Sequence, residues 1–158
     1  VSWCNFPALI ESSGIDLIGM TNAQKVDIAE YVLKKTVINI VDSLPLSHYC
    51  EDGIYFRTIF LPKNTLLTGK VHNFDHISHL TAGRVSIFTR DGLEHRYAPD
   101  TWESLAGTKR LIFVHEDTIW TTSHTTNETE IPALEAQLVH DSDLSWIDEY
   151  KLLSGDIT

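Results

Sequence analysis

The sequence predicts an antiparallel all-β domain, a sandwich or a barrel, with helical segments at both ends. Three observations carry this. Apolar residues alternate with period two through most of the stretch from Ile54 to His124, as half-buried strands require. Turn signals, Asp91-Gly92 above all, break that stretch into short runs at the spacing of hairpins. Helical period and capping signals occur only before and after it.

Taken in order, residues 1–20 carry Pro7 and Gly14 and read as an irregular arm. Thr21-Asn22-Ala23-Gln24 is a capping box, in which the Thr21 hydroxyl and the Gln24 side chain satisfy each other's backbone N–H groups. The helix it starts runs to about Lys35, with Val26, Ala29, Val32 and Leu33 on one stripe and Lys34 and Lys35 at its negative end. Expected strands follow at Thr36–Val41, Ile54–Leu61, Thr65–His72, His76–Leu80, Arg84–Thr89, Glu94–Ala98, Thr101–Leu105, Arg110–His115 and Thr118–His124. Asp91-Gly92 is expected at one hairpin tip and Glu116-Asp117 at another. The tail turns helical at Pro132–Val139 and again after Ser145, with Gly155 as a C-cap. One domain is expected over 1–158: an arm and helix (1–35), a β barrel (36–124) and a helical tail (125–158).

Composition bounds the function. The chain has 158 residues, a formal charge of −10 and 42% hydrophobic residues, which suits a globular domain. There is no surplus of Lys and Arg to neutralise phosphates, so no nucleic-acid partner is expected. No run approaches the roughly 20 apolar residues of a membrane helix, and the opening Val1-Ser2-Trp3-Cys4-Asn5 lacks the pattern of a signal peptide. No membrane partner is expected, and the expected location is cytoplasmic or virion-associated. Cys4 and Cys50 cannot build a cysteine zinc site, and Cys50 beside His48 lacks the third group of a nucleophilic site. Eight histidines are the unusual count.

The stretch Leu61–Gly83, LPKNTLLTGKVHNFDHISHLTAG, resembles the first motif of the cupin family. Anchored on Gly83, the family's Glu position falls on His76, its two His positions on His72 and Lys70, and its opening Gly on Asn64. The second motif is matched by Leu105-Ala106-Gly107, with Arg110 at the family's His position, Pro99 at its Gly and Val114 at its Asn. The resemblance spans about residues 54–124 and implies a cupin-like antiparallel jelly-roll barrel. It also implies a common interior face for Lys70, His72, His76 and Arg110, the expected ligand cavity.

The departures from the family pattern direct the functional reading. A cupin metal centre uses imidazoles and a carboxylate, because a divalent ion needs lone pairs. Here two of the four places hold cations, and a unit charge about 4 Å from a divalent ion costs roughly 8 kcal/mol at an effective dielectric of 20. No cofactor and no metal are therefore expected. If a metal is present, His72 and His76 are its ligands, with His115 or His124 as unplaced candidates for a third. His79 falls on the face opposite His76. Two cations beside two imidazoles suit a small anionic or carbohydrate ligand.

With a short divergent cupin core and Gly107-Thr108-Lys109-Arg110 in place of the second-motif histidine, the sequence resembles small cupin-like proteins of tailed bacteriophages. That resemblance implies a non-catalytic binding or assembly module, such as a virion structural component. The alternative is a small metal-dependent cupin enzyme of the sugar isomerase or dioxygenase type. Apolar residues in both terminal segments, Trp3, Phe6, Trp146 and Leu152 among them, point to a homo-oligomer or larger assembly.

Overall fold

The computed structural model describes residues 10–36 and 44–154. Helix α1 (Asn22–Thr36) starts at the predicted capping box: Gln24 N–H donates to Thr21 Oγ1 at 3.1 Å and Thr21 N–H to Gln24 Oε1 at 2.9 Å. Thr36 ends this helix, and the rest of the strand expected at Thr36–Val41 lies outside the described residues. Nine strands follow among the described residues: β1 (Leu46–Glu51), β2 (Ile54–Leu61), β3 (Leu66–Thr68), β4 (Val71–His72), β5 (His76–Thr89), β6 (Gly92–Tyr97), β7 (Asp100–Ser104), β8 (Leu111–Thr125) and β9 (Val139–His140). Helix α2 (Ile131–Leu138) precedes β9, and α3 (Ser145–Ser154) closes the described chain.

All pairing is antiparallel. The main sheet runs β1-β2-β8-β5-β6, with β3 added to β8 and β7 added to β5, while β4 pairs β9 separately. Strands β1 and β6 remain as edges, so the described sheet is an open roll, not a closed barrel. The long strands β5 and β8 form its spine. Their register slips between Leu80 and Val85, and such bulges bend and twist a strand pair. Gly83 sits in that region at φ +98°, where a side chain would meet the Thr118 backbone. The two other family-pattern turns are also left-handed: Asn64 at φ +66° and Gly107 at φ +75°.

Four expectations are corrected. Arg110–His115 and Thr118–His124 are one 15-residue strand, not a hairpin. The strand runs straight through Glu116-Asp117: the Thr118 hydroxyl bonds the Glu116 carbonyl at 2.7 Å, and Asp117 accepts the Lys63 N–H at 2.8 Å. His76–Leu80 and Arg84–Thr89 are likewise one strand, bent at its bulges. Thr65–His72 is broken at Gly69-Lys70, because Val71-His72 leaves β8 to pair with β9. Strand β1 was not expected, and its signal was the Asp52-Gly53 turn, both residues having positive φ. The Asp91-Gly92 hairpin forms as predicted, Thr89 pairing Gly92.

Three apolar clusters hold the fold. Leu61, Leu67, Leu80, Val85, Ile87, Ile112, Val114 and Trp120 fill the inside of the roll. Val26, Ile28, Ala29, Val32 and Leu33 of α1 pack with Leu66 and Leu111, and Ile147 of α3 joins them. Tyr55 packs with Leu134, Leu138 and Val139. That last cluster fixes α2 and β9 against β2 and β4, beside the histidines described next. Among the described residues no helix is long and apolar enough to cross a membrane.

Candidate metal centre and adjoining cavity

Three histidines meet at one end of the roll. His72 comes from β4, His76 opens β5 and His124 lies near the end of β8. The pairing of Ile77 with Ser123 sets His76 opposite His124, and the β4–β9 pair brings His72 over both. The rings stack, with centroids 4.1 Å apart for His72–His76, 5.0 Å for His72–His124 and 4.7 Å for His76–His124. All three are buried, at 6%, 4% and 3% exposure. One nitrogen from each lies within 4.8 Å of the other two.

The hydrogen bonds decide the tautomers. His76 Nδ1 faces the Phe74 carbonyl oxygen at 3.0 Å. A carbonyl only accepts, so Nδ1 carries the proton and Nε2 keeps its lone pair. That Nε2 is buried without a partner among the described residues. A backbone carbonyl on the far nitrogen is how proteins orient a metal-binding imidazole. His72 Nδ1 and His124 Nε2 share one proton at 2.9 Å, and His124 Nδ1 is the second unpartnered buried nitrogen.

Electrostatics keep the cluster neutral. Burial, then His76, His124, Arg110 and Arg57, push the His72 pKa down to about 2. Burial, then His76 and Arg57, bring His124 to about 4. His76 is lowered by burial and by Arg110, against the Phe74 hydrogen bond and Asp75, which raise it. All three are therefore neutral at neutral pH, with the lone pair of either His72 or His124 occupied by their mutual hydrogen bond until an ion displaces that proton. Metal–nitrogen bonds of about 2.0–2.1 Å at a tetrahedral centre put ligand atoms about 3.4 Å apart, so closing on an ion takes ring shifts on the order of 1 Å. The donor set fits a divalent transition metal.

His72 also lines a cavity of about 60 Å³ on the inner face of β2, β3 and β8. Arg57, Lys70, Arg110 and Thr122 supply its polar wall, and Trp120, Leu67 and Ile112 much of its apolar wall. The four residues expected to converge thus fall into two adjoining groups: Lys70, His72 and Arg110 around the cavity, and His76 behind His72 in the stack. Lys70 does not share a strand face with Thr68 and His72, because β3 has ended; its amine reaches Asp141 at 3.6 Å. The centre has three imidazoles where two were expected, and His124 is the addition. His115 stands elsewhere, bonded to Ser86 at 2.6 Å. His79 lies on the opposite face from His76, between Thr101 and Ser123.

No protein-family model matches the chain, and no curated protein matches it. Among solved structures it is similar to a cupin 2 domain-containing protein from Halorhodospira halophila, at 9% identity over 63% of this chain and 70% of that one, with a TM-score of 0.48. It is similar to KdgF from Halomonas sp., at 8% identity over 57% of this chain and 84% of that one, TM-score 0.47. A cupin-2 domain containing protein from Shewanella frigidimarina matches at 14% identity over 59% of this chain and 98% of that one, TM-score 0.43. These are likenesses of strand arrangement. The fold rests on the pairing described above, and the chemistry on the residues of the site.

Proposed function

We propose that this chain is a small-molecule-binding jelly roll whose His72, His76 and His124 hold a divalent transition metal beside the cavity. One observation carries the reading: three buried, neutral imidazoles from three strands offer nitrogens within 4.8 Å of one another, and two of the rings each keep one buried nitrogen without a partner among the described residues. Buried polar atoms are almost always satisfied, so two orphans at one point call for a common partner. This favours the metal-dependent enzyme over the non-catalytic module that two ligands alone implied. A metal held there would supply Lewis acidity toward an oxygen of a ligand in the cavity. The chain's own residues position that chemistry: Phe74 fixes the His76 tautomer, and the apolar wall limits water.

The His72–His124 hydrogen bond favours a second reading, in which the imidazoles satisfy each other as a structural cluster in a binding or assembly module, virion-associated or otherwise. Calorimetric titration of tag-free, chelator-treated protein with Zn²⁺, Mn²⁺, Ni²⁺ and Fe²⁺ separates the two. The metal reading expects near-stoichiometric binding of at least one ion, weakened at least 100-fold by His76→Ala and by His124→Ala. Absence of saturable binding to folded protein for all four ions overturns it.

A further inference from the structure

Arg110 is buried, at 9% exposure, on the wall of the cavity and of a second one that Glu94 and Glu103 also line, and its guanidinium makes no hydrogen bond or ion pair among the described residues. Every other cation near it is engaged. Arg57 Nε donates to Glu135 at 3.3 Å, Lys70 faces Asp141 at 3.6 Å, and Lys109 next to it bonds Asp27 at 2.7 Å. Glu94 acts on Arg110 only as a more distant charge. A buried unpaired cation is among the costliest groups a fold can carry, and a chain with ten surplus negative charges had carboxylates to spare for it. Thr122 presents a second unsatisfied group to the same cavity: its hydroxyl is buried without a partner among the described residues.

We infer that the cavity is a binding site for a small carboxylate, with the carboxylate on the Arg110 guanidinium and the Thr122 hydroxyl, and the ligand's body against Trp120 and Leu67. The planar guanidinium fork matches a carboxylate in two parallel hydrogen bonds. Size agrees. A single water needs roughly 10–15 Å³ on this measure, so the space takes a carboxylate with a few further heavy atoms. Charge agrees too: Arg57 and Lys70 in the same wall already face Glu135 and Asp141, so the unpaired Arg110 balances a monoanion but only half the charge of a phosphate dianion. The site stands on Arg110 and Thr122, independent of whether the histidines hold a metal, and His72 in the shared wall would set its ligand beside them.

The test uses the full chain in EDTA, so that failure of the metal reading does not affect it. Acetate, pyruvate, lactate and butyrate are titrated individually, with inorganic phosphate as the competing anion, and followed by Trp fluorescence and by amide shifts of Thr122 and Leu111. Saturable binding of at least one carboxylate with millimolar or better affinity is expected, with phosphate at least tenfold weaker. Arg110→Lys should weaken binding about tenfold, Thr122→Val about threefold to tenfold, and Arg110→Met more than 30-fold. Should Arg110→Met fail to fold, the Lys and Val variants carry the result. No saturable carboxylate binding, phosphate binding tighter than every carboxylate, or full affinity in Arg110→Lys and Thr122→Val together would overturn the inference.

Discussion

Acidifying the metal-free protein probes the neutrality of the histidine cluster. In the folded chain His72 is pushed down to about 2 and His124 to about 4, first by burial and then by neighbouring charge. Unfolding returns each to about 6.5. The charged and titratable groups acting on them are His76 from β5, Arg110 just before β8 and Arg57 from β2, and all of these oppose a proton. Below pH 6.5 the unfolded chain therefore binds protons that the folded chain refuses, and stability falls as pH falls. At pH 5 the two groups together differ by nearly two protons, a slope of about 2.6 kcal/mol per pH unit. Integrated from pH 7 to pH 5 the loss is at most about 4 kcal/mol, and about 2–3 kcal/mol once residual solvent contact is allowed for. His76 and His115, also lowered, act in the same direction. The contribution is complete above about pH 7 and goes on falling until the folded imidazoles themselves take protons, near 4 for His124. Urea unfolding in EDTA at pH 7, 6 and 5, with ring ¹⁵N shifts recorded on the folded protein, measures both sides of the linkage. A stability that is flat from pH 7 to 5, or a folded His72 or His124 ring that titrates between pH 6 and 7, would refute the reasoning.

Two further predictions concern what holds the site in place. Gly83→Ala should cost about 3 kcal/mol more than Gly92→Ala. Both have positive φ, but a Cβ at 83 lies 2.6 Å from Thr118 Cα and 2.7 Å from the Asp117 carbonyl oxygen, whereas nothing stands within 4 Å at 92. Equal costs in chemical denaturation would show that β5 and β8 are not in this close contact. Lys109 joins Asp27 and Glu30 of α1, and Asp27 also accepts the Trp146 indole N–H at 3.0 Å, so one ammonium ties α1 and α3 to the loop before Arg110. Lys109→Met is expected to cost about 2 kcal/mol, because Lys34 at 2.8 Å still partners Glu30; a loss below about 0.5 kcal/mol would remove the network from the account.

Much of the fold was legible because it depends on local pattern. The capping box, the period-two runs and the Asp91-Gly92 hairpin are signals within a few residues of one another, and all three formed. The resemblance to the cupin motif, anchored on Gly83, points to His72 and His76, and a close backbone approach is what requires the glycine at that anchor. Local pattern does not place His124. Its position depends on the β5–β8 register, which slips at three points between Leu80 and Val85 for a net shift of one residue. A one-residue slip sends every following side chain to the other face, so counting from the Phe88–Leu111 end would have turned His124 away from His76. Reading Glu116-Asp117 as a turn removed the strand along which to count at all. Lys70 failed differently: alternation assumed a continuous strand through Gly69, whereas Val71 and His72 pair with β9, an element far along the chain.

The charge at the centre ties the two proposals together. The position at which the cupin pattern carries a glutamate holds His76, so all three donors are neutral and contribute no negative charge to an ion they would hold. Arg110, which adds to the positive potential at both His72 and His76, makes the deficit larger. A divalent ion there would leave a centre and neighbouring guanidinium carrying three positive charges in a buried place, with Asp75 and Glu94 only as more distant compensation. In the low-dielectric interior such an excess weakens the hold on the ion, and a counter-charge restores it. A carboxylate on Arg110 provides one at the wall that His72 shares with the cavity. With His76 where the resembling pattern has a carboxylate, the two proposals together assign the negative charge to the ligand and not to the protein. By linkage, metal and carboxylate should each raise the other's affinity by the same factor. A centre built this way discriminates by charge: neutral molecules of the same size would leave both the ion and the guanidinium uncompensated.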